Sequence, residues 1–123
     1  MRGIGTDILR IARIEQALAR HGERFAKRVL HPKELPKFEN SATKAAFLAK
    51  RFAAKEAVAK ALGTGIGEHL SWQDMHIIHD ALGAPQVVLS MTAKKVAAKK
   101  GGTVVQLSLS DERDYVVAFA VLT

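Results

Sequence analysis

The order of the predicted elements favours an α+β domain in which a small, mainly antiparallel sheet packs against helices. Three observations support this prediction. Apolar residues recur at helical spacing early in the chain, a long alanine-rich stretch contains no glycine or proline, and the C-terminal segments look like two strands around a turn. A chain of 123 residues suits a single domain, which we place at residues 1–123.

The N-terminal part is predicted to form one strand and several helices. Residues 2–9 are expected to be a short strand whose glycines permit close backbone approach. The next apolar residues follow the spacing of an amphipathic helix, at Ile11, Ile14 and Leu18. His21-Gly22 ends this helix, and shorter helical segments are predicted at residues 25–30 and 33–39.

The strongest helix prediction covers Lys44–Leu62, which is rich in Ala, Lys and Leu and ends at Gly63. A glycine-rich loop follows at residues 63–67. Further on, the sequence predicts strands at residues 72–79 and 86–90 and a helix at residues 91–100. A terminal hairpin is expected from strands at residues 103–110 and 115–122.

The composition restricts the classes of function. Lys and Arg number 19 against 12 Asp and Glu, and the net charge of +7 attracts polyanions without choosing among them. Because cysteine is absent, disulfides, thiolate nucleophiles and Cys-based zinc sites are excluded. Trp72 and Tyr115 are the only Trp and Tyr, which argues against a single-strand base-stacking platform but does not bear on duplex binding. The motifs, and not the composition, lead us to expect no nucleic-acid partner.

The sequence lacks membrane signals. The N-terminus does not combine a charged segment with a long apolar run, as a signal peptide would. No apolar stretch approaches the ~20 residues that span a bilayer. We therefore expect a cytoplasmic protein without membrane contact.

Two segments could carry chemistry. In Gly5-Thr6-Asp7-Ile8, an Asp beside glycines could reach Mg²⁺, although it could equally be an ordinary helix N-cap. Phe52, Glu56 and Lys60 lie four apart on one helix face, where they could hold a metal and a phosphate or form a plain surface ion pair. Phe52 suggests that this face points inward, where charges need partners.

Other features are less specific. The glycine-rich loop could cradle phosphate, but it follows a helix, which also suits a C-cap and turn. His76 and His79 are expected on opposite sides of a strand, so a shared zinc site is not predicted. Basic residues crowd the first helices and the last one; the first cluster adjoins Asp7 and is the better candidate for docking an acidic partner.

Taken together, these segments resemble the holo-acyl-carrier-protein synthase family of 4′-phosphopantetheinyl transferases. Gly5-Thr6-Asp7-Ile8 with Arg13-Ile14-Glu15 is similar to the N-terminal signature of that family. Residues 51–66, with Phe52-Ala53-Ala54-Lys55-Glu56-Ala57 and Lys60-Ala61-Leu62-Gly63, are similar to its longer second signature. Gly83-Ala84-Pro85 and Leu107-Ser108-Leu109-Ser110 match weaker motifs, so the likeness covers almost the whole chain.

The resemblance implies transfer of the 4′-phosphopantetheine arm of coenzyme A to a serine of apo-acyl carrier protein, for fatty acid biosynthesis. Adenosine 3′,5′-bisphosphate is the by-product. It also implies the family's α+β fold and a homotrimer with active sites between subunits. By similarity, Asp7 and Glu56 would be Mg²⁺ ligands, Glu56 would accept the serine proton directly or through a water, and Lys60 would steady the pyrophosphate.

The same resemblance implies two binding surfaces. Residues that would contact coenzyme A are Lys44, Arg51, Lys60, Gly63, Thr64, Gly65, Pro85 and Ser110. The acidic carrier protein would dock on Arg10, Arg13 and Arg24. The family often has His where this chain has Asp111, and we leave Asp111 out of the catalytic set because a carboxylate repels phosphate.

Two alternatives remain open at this level. A non-enzymatic basic module would bind nucleic acid or an acidic protein without needing Asp7 or Glu56. Another Mg²⁺-dependent nucleotide enzyme would use the same carboxylates on a different substrate.

Overall fold

The main sheet joins the two ends of the chain. The structure, a computed structural model, describes residues 1–123. Strand β1 (Gly3–Arg10) pairs antiparallel with β5 (Tyr115–Leu122), and β5 pairs antiparallel with β4 (Val105–Asp111). The sheet order is therefore β1-β5-β4. The predicted α+β domain with an antiparallel sheet is confirmed.

The chain also forms five helices: α1 (Ile11–His21), α2 (Glu23–Val29), α3 (Leu35–Glu39), α4 (Lys44–Leu62) and α5 (Met91–Lys99). The predicted apolar stripe of α1 is confirmed, because Ile11 and Ile14 are buried and Leu18 is half-buried. Gly22, with a φ of 61°, separates α1 from α2. The bounds of α4 agree with the prediction.

Helix α4 forms the centre of the core. Its alanines from Ala49 onwards are fully buried, as is Leu48, and the helix contacts the strands of the main sheet as well as α1 and α2. Small side chains allow a close approach to β1. A Cβ atom at Gly5 would collide with the carbonyl oxygen of Ala57 and lie 2.8 Å from Cβ of Lys60. The backbones of β1 and α4 are therefore in direct contact.

The remaining strands form a second, separate sheet, where the sequence suggested a single one. In it, β2 (Met75–His79) pairs with β3 (Pro85–Leu89) across a turn in which Asp80 Oδ1 accepts the backbone N–H groups of Leu82 and Ala84 at 2.9 Å each. The strand prediction for residues 72–79 was wrong at its start, because Trp72–Asp74 is a 3₁₀ helix. The Asp74 carboxylate accepts the N–H of Ser71 at 2.8 Å, which favours a helical turn over an extended strand.

No helix of the structure combines the length and the apolar character that a membrane crossing requires.

We expect Gly5→Ala to lower the free energy of unfolding by about 1–3 kcal/mol, because the added methyl group must push β1 away from α4. The measurement is urea unfolding followed by circular dichroism at a fixed chain concentration. Gly22→Ala is the control, since nothing lies within 4 Å of its Cβ position and only the φ of 61° opposes it. Its cost should stay near 1 kcal/mol. Equal losses in the two variants would contradict tight packing at Gly5.

Candidate active site

Asp7 lies within β1 on the side of the sheet that faces α4. It pairs with Ala118 in the strand register, and its side chain is only 18% exposed. The alternative of a helix cap does not apply, because Arg10 occupies the N-cap position of α1. Gly5 brings Asp7 to the helix, since it removes the side chain that would separate the two backbones.

Lys60 extends from the last turn of α4 to β1. Its Nζ donates to the carbonyl oxygen of Thr6 at 2.8 Å and lies 3.4 Å from Oδ1 of Asp7. Lys60 forms no salt bridge with Glu56, which lies one turn away on the same helix face. Lys60 is instead the cation next to Asp7, and half of its side chain is exposed to solvent.

Glu56 is the half-buried carboxylate of the group, and it forms no salt bridge. Burial raises the pKa of Glu56 above its ordinary value, and the negative charge of Asp7 raises it further, while Lys60 opposes both effects. Phe52, one turn earlier, packs its ring 4.9 Å from Trp72 and 6.2 Å from Phe25. This helix face points inward at Phe52, as predicted. Glu56 is only half-buried, and half of the Lys60 side chain is exposed to solvent.

The carboxylates of Asp7 and Glu56 could hold a hard divalent cation. They are close enough for the charge of one to raise the pKa of the other, and a cation between them would relieve that repulsion. No group of three or more His, Cys, Asp or Glu side chains could hold a metal ion. Two carboxylates suit Mg²⁺, which keeps several waters and takes phosphate oxygens.

The glycine-rich loop begins as the cap of α4. Gly63 has a φ of 81°, and its N–H donates to the carbonyl oxygens of Ala59 and Lys60 at 3.0 Å each. Gly63 and Thr64 then line a cavity of about 570 Å³ beside α5. The other lining residues are mostly basic or hydroxylic: His69, Thr92, Lys95, Lys99 and Lys100, with Leu62 and Val96 beneath them.

Lys44 and Arg51 lie on the other side of α4. Seven residues separate them, which places them about 20° apart around the helix axis, whereas Arg51 and Lys60 are about 180° apart. Within one chain, Arg51 and the Asp7 site, by which we mean Asp7, Glu56 and Lys60, therefore face opposite directions. The eight residues implied for coenzyme A do not form one surface.

Arg51 lines a second cavity of about 250 Å³, here called the Arg51 cavity. Its other lining residues are Lys37, Ser41, Thr43, Phe47, Lys50 and His79. Burial lowers the pKa of His79, and the positive charges of Arg51, Lys37 and Lys50 lower it further. The cavity therefore carries a positive potential, and its cations and hydroxyl groups suit a phosphate group.

Gly65 lies in the loop after α4, where its N–H donates to the carbonyl oxygen of Ala59. Lys44, Pro85 and Ser110 do not line the Arg51 cavity, but each lies near a residue that does. Lys44 donates to the carbonyl oxygen of Ser41 at 3.2 Å. Pro85 pairs with His79 in the small sheet. Ser110 precedes Asp111, whose carboxylate lies 3.5 Å from Nζ of Lys50. The positive charge of Lys50 offsets the negative charge of Asp111, which would otherwise repel a phosphate group bound nearby.

The basic residues of the first helices are available to a partner. Arg13 on α1 and Arg24 on α2 are exposed and form no salt bridge. Arg24 lines a surface depression with His21, Phe25 and Arg28. Arg10 differs, because its guanidinium donates to the hydroxyl of Tyr115 at 3.3 Å, which raises its pKa.

The sequence did not single out Glu34, Lys37, Lys50 or His79. Glu34 is 3% exposed and contacts both Arg51 and Lys55, which are themselves buried. No spacing signal marks it, since it lies in a short irregular segment before α3. Lys50 is next to Arg51 in the sequence, but neighbouring positions on a helix do not share a face, so spacing did not link the two.

Comparisons with known proteins agree on one family. The family model described as the 4′-phosphopantetheinyl transferase superfamily matches residues 3–120. A holo-[acyl-carrier-protein] synthase of Halorhodospira halophila is 51% identical over 120 residues, which cover 98% of this chain and 95% of the relative.

Two solved structures have the same fold. The crystal structure of holo-[acyl-carrier-protein] synthase from Neisseria meningitidis has a TM-score of 0.93 and 45% identity, and the match covers 100% of this chain and 98% of the other. The Helicobacter pylori enzyme in complex with coenzyme A has a TM-score of 0.84 and 34% identity, with coverage of 98% and 99%. The chain therefore belongs to the 4′-phosphopantetheinyl transferase superfamily, in the family of holo-[acyl-carrier-protein] synthases.

Proposed function

We propose that the chain transfers the 4′-phosphopantetheine group of coenzyme A to a serine of apo-acyl carrier protein. The observation that carries this proposal is the Asp7 site, which places a cation and two carboxylates where a strand and a helix touch. Its members come from the two segments that resemble the signatures of the family. The complex of the Helicobacter pylori relative with coenzyme A supports the choice of donor.

In the proposed reaction, the serine oxygen attacks the phosphorus that bears the pantetheine arm. The bond from that phosphorus to the bridging oxygen breaks, and adenosine 3′,5′-bisphosphate leaves. Glu56 accepts the serine proton, directly or through a water. Lys60 binds the pyrophosphate oxygens and offsets the charge on the leaving group.

We further propose that the carboxylates of Asp7 and Glu56 hold Mg²⁺. When bound, the ion would neutralise charge on the pyrophosphate and help to align it. The contribution of the chain is the geometry around it. Gly5 fixes the distance from Asp7 to α4, and Phe52, one turn before Glu56, packs its ring on Trp72.

The active site is proposed to lie between subunits. The Asp7 site and the Arg51 cavity face opposite directions on α4, so a single extended ligand that uses both must contact two chains. In this arrangement the Asp7 site of one chain would bind the pyrophosphate, and the Arg51 cavity of its neighbour would bind a phosphate of the nucleotide half.

The outer face of the main sheet supports the homotrimer that such sharing requires. Along β1, Ile4 and Ile8 are 52% and 66% exposed, and Phe119 on β5 is 43% exposed. Val117, opposite Ile8 in the register, is 38% exposed. An exposed apolar sheet face of this kind is typical of a protein–protein interface. We propose that further copies of the chain cover it.

Arg13, Arg24 and Arg10 are the proposed docking surface for the carrier protein. Arg13 and Arg24 are exposed and without acidic partners in the chain, and Phe25 adds an apolar contact beside Arg24. Charges at the rim of an interface act mainly on the association rate.

Apo-acyl carrier protein incubated with the chain, coenzyme A and Mg²⁺ should gain one phosphopantetheine unit by intact-protein mass spectrometry. EDTA should abolish the gain, and Glu56→Gln should slow it by about a hundredfold or more, because a general base is lost. Glu39→Gln on α3 is the matched control. No gain from a folded wild-type sample would favour the basic binding module instead, whereas full activity of Glu56→Gln would remove Glu56 as the general base.

Two half-site variants should complement each other. Glu56→Gln damages the Asp7 site, and Lys44→Glu damages the charge around the Arg51 cavity, so each alone should be nearly inactive. After co-refolding in equal amounts, about one quarter of wild-type activity should return, because random assortment in a cyclic trimer joins two intact halves at that frequency. Sedimentation should give a trimer. An inactive mixture of properly formed trimers would contradict the shared site.

Arg13→Glu should raise the KM for carrier protein about tenfold at low salt, with kcat nearly unchanged, because a docking cation becomes an anion. The difference from wild type should shrink as salt is added. Lys94→Glu on α5 makes the same change in net charge at a remote site and serves as the control. A KM unchanged by Arg13→Glu removes that residue from the docking surface.

A further inference from the structure

Three buried charged residues outside the Asp7 site form a cluster, here called the Glu34 cluster. Glu34, Arg51 and Lys55 are 3%, 4% and 0% exposed. Nζ of Lys55 lies 2.7 Å from Oε1 of Glu34, and Nε of Arg51 lies 3.1 Å from Oε2. One carboxylate thus serves two cations.

The Glu34 cluster connects five segments of the chain. Besides Glu34, Lys55 donates to the carbonyl oxygen of Val29 at 2.8 Å, at the end of α2, and to that of Trp72 at 3.1 Å, in the 3₁₀ helix. Glu34 also accepts the backbone N–H of His31 and that of Ile77 in β2, each at 2.9 Å. The cluster therefore fixes α2, the segment before α3, the 3₁₀ helix and β2 against α4.

These contacts lead directly to the catalytic turn of α4. Lys55 is the residue before Glu56, and it holds the backbone of Trp72. The ring of Trp72 packs on Phe52, which lies one turn before Glu56 on the same helix face. The ring of Phe25, from α2, also packs against Phe52, with the ring centroids 6.2 Å apart. The rings of Trp72, Phe52 and Phe25 form an aromatic wall beside Glu56. The Glu34 cluster anchors this wall through the hydrogen bond from Lys55 to the carbonyl oxygen of Trp72.

The energetics indicate that the Glu34 cluster fixes the relative orientation of the elements more than it stabilises the fold. Buried ion pairs gain little over apolar residues of similar size, because desolvation offsets the attraction. Here two cations share one anion, which leaves an excess positive charge in the core. Its hydrogen bonds to four backbone groups, in contrast, are directional and define one arrangement of the elements.

We propose that Glu34 and Lys55 are positioning residues, which set the orientation of Glu56 by holding the Trp72–Phe52 wall against α4. This inference rests on the proposed transferase function for its kinetic test, but it also predicts a structural readout that needs no activity. Trp72 is the only tryptophan, so its fluorescence reports on the wall alone.

The first variant is Lys55→Met, which keeps the apolar stem and leaves Glu34 and Arg51 as a one-to-one pair. We expect a folded protein with kcat reduced about tenfold to a hundredfold, KM values for both substrates within about twofold, and red-shifted Trp72 emission. Lys94→Met on α5, an exposed position, is the matched control and should change none of these quantities. Wild-type kcat and emission in Lys55→Met would overturn the proposal, as would a change confined to KM.

A second pair of variants covers the case in which Lys55→Met fails to fold. Glu34→Gln should lower the Tm strongly, since two buried cations lose their counter-charge, and Lys55→Met added to it should restore part of the Tm. The double variant should remain slow, because the wall stays untethered. Recovery of kcat together with Tm would overturn the proposal.

Wild-type protein that modifies no carrier would refute the proposed function. The emission of Trp72 in the variants would then decide the positioning role by itself.

Discussion

The contact between β1 and α4 at Gly5 determines the distance on which the rest of the site depends. No side chain separates the two backbones there, so the carbonyl of Ala57 lies against the strand. Asp7 then lies within 3.4 Å of the ammonium of Lys60, although more than fifty positions separate the two residues in the chain. The charged groups come from rigid elements, and they need little reorganisation to meet a ligand.

Helix α4 is held from two sides by different kinds of force. On the strand side, alanine and glycine give close packing of apolar surface, which stabilises the fold. On the opposite side, Lys55 and Arg51 contact Glu34. These buried ion pairs fix the relative orientation of the elements more than they stabilise the fold. Glu56 lies between these two supports, half-buried beside Phe52, and the raised pKa of its carboxyl reflects that environment.

Much of this arrangement could be predicted from the sequence. The bounds of α4 follow from composition and from Gly63, and the Glu56–Lys60 spacing follows from helix geometry. Helix geometry could also have shown that Arg51 and Glu56 lie on different faces of α4. The 3₁₀ helix at Trp72–Asp74 and the burial of Glu34 could not be predicted as easily, because tertiary contacts and short irregular segments decide them. For Asp7, a local cap was as plausible as a site residue until the strand register was known.

The two faces of α4 have a consequence for how such a catalyst responds to damage and dilution. Under the proposed assembly each chain takes part in two sites, giving the Asp7 group to one neighbour and the Arg51 cavity to the other. A chain in which both halves are damaged would therefore silence both sites that it borders, and a population containing such chains would lose activity faster than its fraction of intact chains. Dilution would act in the same direction, because a dissociated chain carries only unmatched halves.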